Sequence, residues 1–89
     1  MNPDSKSTKI LRFLYLKKNK QSYKEVEKGT GVRCVTAFTK KLIANGKVRK
    51  QKIDNTTYYW VPESEMYNVR NTLIKAMQQL EDENQNWLY

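Results

Sequence analysis

The segment from Ser22 to Val61 constrains the fold most, because its hydrophobic period changes from that of a helix to that of a strand after Gly46. Ser22–Glu25 has the form of a capping box, in which a hydroxyl and a carboxylate each accept a hydrogen bond from a free backbone N–H group. The short helix that it opens is predicted to stop at the first glycine of the turn Gly29–Gly31. A second helix is predicted over about residues 33–44. The sequence therefore predicts two helices joined by a tight turn and followed by a hairpin.

Two apolar stripes are expected to form the helical part of the core. Ser7 or Thr8 can cap a first helix, whose stripe consists of Ile10, Leu11, Phe13, Leu14 and Leu16. The helix over residues 33–44 is predicted to bury Val35, Phe38 and Leu42, with Cys34 beside them as a small buried thiol. Its opposite face carries Arg33, Thr36, Ala37 and Lys40, with Thr39 and Lys41 at the borders.

The predicted hairpin is rich in cations. It follows a helix stop signal, Asn45-Gly46. Residues 47–53 then alternate, with Val48, Lys50 and Lys52 on one side and Arg49, Gln51 and Ile53 on the other. Residues 54–56 are predicted to form the turn, and Trp60 on the second strand is expected to pack against the first helix. The cations of the first strand either bind a polyanion or protect an exposed sheet edge from aggregation.

A long C-terminal helix is predicted after Pro62 and Glu63, which are typical of a helix start. Between Met66 and Leu80 its apolar residues are spaced three, four, three and four apart, as in a coiled coil. The helix either folds back on the first helix or pairs with a second copy. We favour pairing, because an acidic, heptad-like helix does not suit duplex DNA. The predicted dimer interface consists of Met66, Val69, Leu73, Met77, Leu80 and Trp87.

Charge is distributed unevenly along the 89 residues, whose net charge is +8. Residues 1–62 carry fifteen Lys or Arg and four Asp or Glu, a net charge of +11. Residues 63–89 carry two Lys or Arg and five Asp or Glu, a net charge of −3. A basic body with an acidic end indicates that the body binds a polyanion and that the end has another role.

Composition argues against several functions. The chain has no histidine, which excludes imidazole general bases and histidine metal ligands. Its carboxylates are scattered, and it has neither a glycine-rich phosphate loop nor metal-ligand spacing. We therefore predict no enzymatic activity, catalytic residue, metal, cofactor or small-molecule ligand. A single cysteine and the lack of a long apolar run predict a cytoplasmic, nucleoid-associated protein without membrane contact, or a nuclear one in a eukaryote.

The turn and the second helix also carry a recognisable signature. Thr30-Gly31-Val32 is a turn with an apolar residue, and the helix has small polar residues early. The segment Leu42–Val48 has the pattern of a leucine, a few residues, a glycine, one residue and a valine. Over roughly residues 7–62 the chain resembles winged helix-turn-helix regulators of the small prokaryotic, archaeal or viral type. The resemblance implies an α+β winged-helix DNA-binding domain over residues 1–62, with a three-helix core and a two-stranded β wing. Residues 63–89 would form a C-terminal dimerisation helix.

This resemblance implies a homodimer that binds double-stranded DNA and acts as a repressor-like regulator of transcription. The predicted DNA-binding residues are Arg33, Thr36, Thr39 and Lys40 for base edges and nearby phosphates, and Lys47, Arg49, Lys50 and Lys52 for the backbone. Two alternatives stay open at the level of sequence. One is a non-specific architectural or chromatin DNA-binding protein, and the other is a winged-helix protein–protein interaction module such as a viral inhibitor of a host factor.

Overall fold

A computed structural model describes the backbone of residues 4–87 and the side chains of residues 4–78. Its elements, in chain order, are α1 (Lys6–Lys17), β1 (Gln21–Ser22), α2 (Tyr23–Thr30), α3 (Val35–Ala44), β2 (Arg49–Ile53), β3 (Thr56–Trp60) and α4 (Met66–Trp87). The three strands form one antiparallel sheet in the order β1-β3-β2. The α+β class is thus confirmed, and the order of elements is compatible with a winged helix.

The core is built around α1, which contacts α2, α3, α4 and β3. Apolar side chains from every helix and from the sheet meet there, and none of the following is more than 4% exposed: Ile10, Leu11, Leu14, Val26, Val32, Val35, Leu42, Val48, Tyr59, Val61 and Val69. Burying such side chains stabilises a small fold by roughly 1.5–3 kcal/mol each before conformational entropy is subtracted. Because the cluster extends to Val69, the core continues past residue 62 into α4.

The helix starts show which local signals the chain uses. The predicted capping box is confirmed: the Ser22 hydroxyl accepts from the Glu25 N–H group, and the Glu25 carboxylate accepts from the Ser22 N–H group, each at 3.2 Å. The predicted cap of α1 is wrong, because Ser5 caps that helix by accepting from the Thr8 N–H group at 3.1 Å. The hydroxyl of Ser7 instead donates to the Phe38 carbonyl at 3.0 Å and ties α1 to α3.

The turn between α2 and α3 is placed differently from the prediction. Helix α2 continues past Gly29 to Thr30, and Gly31 caps it in the left-handed region at φ 73°. Helix α3 begins at Val35 rather than at Arg33. Its N-cap is Cys34, whose φ of 45° is also left-handed and whose thiol is exposed. The expectation of a buried thiol is therefore wrong.

Tyr59, not Trp60, supplies the buried aromatic of the sheet. Only 1% of Tyr59 is exposed, and its cross-strand partners are Gln21 on β1 and Lys50 on β2. Since neighbouring residues of a strand point to opposite faces, burial of Tyr59 turns Trp60 to the outer face. There the Nζ atom of Lys20 lies 4.6 Å from the centre of the tryptophan ring.

The start of α4 folds back on the body, which changes the predicted dimer interface. A 3₁₀ turn over Glu63–Glu65 precedes the helix. Val69 is fully buried, and Met66 and Leu73 pack against the core of the same chain. Val69 is therefore wrong as a dimer contact, because its own protomer already covers it. Met77 is 45% exposed, whereas Leu80 and Trp87 lie outside the described side chains.

Candidate nucleic-acid interface

The exposed face of α3 is polar, small and basic. Its buried side is formed by Val35, Thr39 and Leu42. Phe38 and Ile43 are half-buried against the core, and the other five residues of the helix form its exposed arc: Thr36, Ala37, Lys40, Lys41 and Ala44. Small side chains let a helix backbone approach a groove closely, while the two lysines supply positive charge beside it. The arc can therefore lie against a polyanion without burying an apolar surface.

A Schellman motif fixes the direction in which the chain leaves α3. The Gly46 N–H group donates to the Ile43 carbonyl at 3.0 Å, and the Lys47 N–H group donates to the Leu42 carbonyl at 2.9 Å. Gly46 adopts a φ of 76°, which glycine reaches without strain. This confirms the predicted helix stop and brings β2 directly after α3, so the two basic elements are joined by a short, hydrogen-bonded link.

All five residues of β2 are exposed. The pairing register assigns their faces, because directly opposite residues share a face of the sheet. Lys50 and Lys52 pair with Tyr59 and Thr57, on the face that carries the buried tyrosine, whereas Arg49 pairs with Trp60 on the outer face. The predicted alternation of this strand is therefore confirmed, and Lys50 and Lys52 extend from the face that covers the helices.

The Tyr59 side chain connects the strand to the helix. Its hydroxyl lies 3.4 Å from the Thr36 hydroxyl on the first turn of α3, while its backbone pairs with Lys50. One buried aromatic residue thus contacts both the exposed start of α3 and the basic strand β2. The first turn of α3 and Lys50 consequently belong to one side of the molecule, defined here as the basic face: the exposed residues of α3 together with Lys50 and Lys52 of β2.

Not every predicted DNA-binding residue belongs to this face. Thr39 is only 1% exposed, and its hydroxyl donates to the Val35 and Thr36 carbonyls at 2.9 and 3.1 Å. Its prediction as a DNA contact is wrong, since the helix itself uses the hydroxyl. Arg33 is exposed but precedes α3, and Lys47 is half-buried in the link. Arg49 is exposed but lies on the outer face of the sheet.

Two cations near the site were not among the predicted residues. Lys41 is exposed on α3, one helical step from Lys40. On a helical wheel centred on the buried stripe of α3, Lys41 lies only at a border of the opposite face. The exposed side of the helix is wider than that wheel predicts. Lys20 precedes β1 and donates from its Nζ atom to the Gln51 side-chain oxygen at 3.0 Å. A strand of two residues has no detectable period, so no sequence signal linked Lys20 to the sheet.

No family model, curated protein sequence or solved structure matches this chain. Over residues 4–87, none of the helices is both long enough and apolar enough to cross a lipid bilayer.

Proposed function

We propose that the chain is a winged-helix protein that binds double-stranded DNA as a homodimer and represses transcription by occluding a promoter or operator. In this proposal α3 enters the major groove, β2 and β3 form the wing, and β2 lies along the adjacent phosphate backbone. The single observation that carries the proposal is the basic face, on which Tyr59 contacts both the exposed arc of α3 and the strand that carries Lys50 and Lys52.

Electrostatics favours a nucleic acid as the partner of this face. Lys40 and Lys41 on the helix and Lys50 and Lys52 on the strand are all exposed. Like charges at this density repel one another, and a duplex supplies regularly spaced phosphates that relieve the repulsion and release bound counterions. The remaining exposed residues of α3 include two alanines and a threonine, which can contact thymine methyl groups.

The test uses two variants that lose the same charge from different surfaces. Lys50→Ala with Lys52→Ala removes two cations from the basic face. Lys28→Ala with Lys75→Ala removes two exposed cations from α2 and α4. The first variant is expected to bind every duplex more weakly, and its plot of log affinity against log salt concentration should be flatter by about one unit per lysine. Equal losses in the two variants, measured by fluorescence anisotropy, would contradict the proposal.

One feature favours a non-specific architectural role as the second candidate. Lysine contacts phosphate as a point charge, and arginine is the side chain that pairs bidentately with guanine. The exposed arc of α3 carries two lysines and no arginine, while Arg33 lies before the helix. Selection of bound sequences from a random duplex pool separates the candidates, because a regulator enriches one motif and an architectural protein enriches none.

A further inference from the structure

Beside its core-facing side, α4 carries an exposed apolar surface. Ile74 is 42% exposed and Met77 is 45% exposed, and Leu16 on α1 is 63% exposed beside them. Together they line a groove of about 540 Å³ between α1 and α4. Because exposed apolar surface in water is unfavourable, a groove of this kind marks a contact with another molecule.

Charge indicates what that molecule is. Among the described residues that line the groove, three are cationic (Lys9, Arg12 and Arg70) and one, Asp4, is acidic. Residues 79–89 carry three acidic and four apolar or aromatic residues and no Lys or Arg. The groove is therefore complementary in both charge and polarity to the C-terminal end of the same sequence. Helix α4 runs without a break to Trp87, so this end cannot turn back into the groove of its own chain.

The spacing of residues along α4 allows two copies of this helix to pair with two-fold symmetry. Residues of an α-helix that are three or four apart lie on one face, so positions 70, 74, 77 and 81 of α4 share a face. Their spacing of four, three and four is the same when read in either direction. In an antiparallel pair of α4 helices, the two-fold axis can cross the shared face at the level between positions 75 and 76. Arg70 then lies opposite Glu81 of the second copy, and Ile74 lies opposite Met77 of the second copy.

We infer that α4 pairs with α4 of a second copy in the antiparallel orientation through this face, with the groove between α1 and α4 covered by the C-terminal part of the second α4. A parallel pair is disfavoured, because it sets Arg70 against Arg70 and Glu81 against Glu81. The inference rests on the homodimer of the proposed function and adds its orientation and its contact residues. It also replaces Val69, which is buried in its own protomer, as a dimer contact.

Charge reversal tests the pairing on DNA-free protein. Arg70→Glu alone and Glu81→Arg alone each set like charges against one another at two symmetry-related contacts, and each is expected to weaken the dimer about tenfold or more. The variant that carries both substitutions restores opposite charges and should recover the wild-type dissociation constant. The matched control is Lys75→Glu, an exposed cation of the same helix on another face, which should leave the dimer unchanged. Sedimentation equilibrium over a concentration series measures all four variants.

Cross-linking supplies a second, independent measurement. In a Cys34→Ser background, a chain with both Arg70→Cys and Glu81→Cys should form covalent dimers, because the two positions meet across the axis. A chain with Arg70→Cys alone should not, because eleven residues of helix separate the two cysteines by about 16 Å along the axis.

Three results would overturn the inference: a monomeric wild-type protein, reversals without effect on the dimer, or a double reversal that fails to restore it. Duplex binding is measured separately on the same samples. A monomer that binds duplex contradicts the pairing and the homodimer but leaves the proposed duplex binding standing. A dimer that ignores duplex contradicts the proposed duplex binding and leaves the pairing standing.

Discussion

The two long strands of the sheet, β2 and β3, are paired residue for residue but have opposite environments. Every residue of β2 is exposed, whereas β3 is half-buried and contributes Tyr59 to the core. The difference follows from position, because β3 lies between two strands and β2 is an edge. Strand β3 therefore attaches the hairpin to the body, and β2 keeps its charged side chains exposed to solvent.

The largest expected effect is a difference in the free energy of unfolding between a substitution on β3 and one on β2. Tyr59→Ala should lower the free energy of unfolding by about 3–5 kcal/mol, because it leaves a cavity in the core. Its cross-strand partner provides the matched control: Lys50→Ala should change that free energy by less than about 0.5 kcal/mol, since Lys50 is exposed. Urea denaturation followed by circular dichroism measures both. Similar losses in the two variants would show that β2 supports the fold as much as β3 does.

A second prediction separates binding from edge protection as the role of the β2 cations. Lys50→Glu with Lys52→Glu keeps charged side chains on the edge, so protection against strand pairing between molecules should persist. Repulsion from phosphate should nevertheless weaken duplex binding about a hundredfold or more. Light scattering and anisotropy titration report the two properties separately. Unchanged duplex binding would leave edge protection as the role of these lysines.

The smallest effect concerns the turn that joins the strands. Asp54 and Asn55 both have positive φ angles, 49° and 66°, as a two-residue type I′ turn requires. Glycine adopts this region without a Cβ clash, so Asn55→Gly should raise the free energy of unfolding by about 0.5–1 kcal/mol. Duplex affinity should stay the same, because the turn only connects the strands. Thermal unfolding measures the first quantity, and a lower melting temperature would contradict the turn assignment.

Local signals in the sequence predicted the parts of the fold that depend on local interactions. The capping box at Ser22, the helix stop at Gly46 and the alternation of β2 each involve residues a few positions apart, and all three are confirmed. The cap of α1 was missed because Ser5 and Ser7 are chemically equivalent candidates, and the contact of Ser7 with Phe38 decides between them.

Residues whose environment depends on distant contacts could not be predicted in the same way. Thr39 lies at the border of the α3 stripe, and only the packed structure shows that its hydroxyl is buried against its own helix. Val69 fits a coiled-coil seam by spacing, yet spacing does not tell whether α1 or a second copy covers it. Strand β1 is too short to show a hydrophobic period, so its pairing with Tyr59 could not be predicted. No local pattern in β3 tells that Tyr59 rather than Trp60 is buried.

The central claim is that the basic face binds duplex DNA through its phosphates, and a salt titration of the wild-type protein tests it most directly. Affinity for a duplex of random sequence should fall linearly on logarithmic axes as salt rises. The expected slope is about −3.6 or steeper, because each of the four exposed lysines of the face is expected to neutralise one phosphate. A slope near zero, or no binding to duplex even in dilute buffer, would contradict the account.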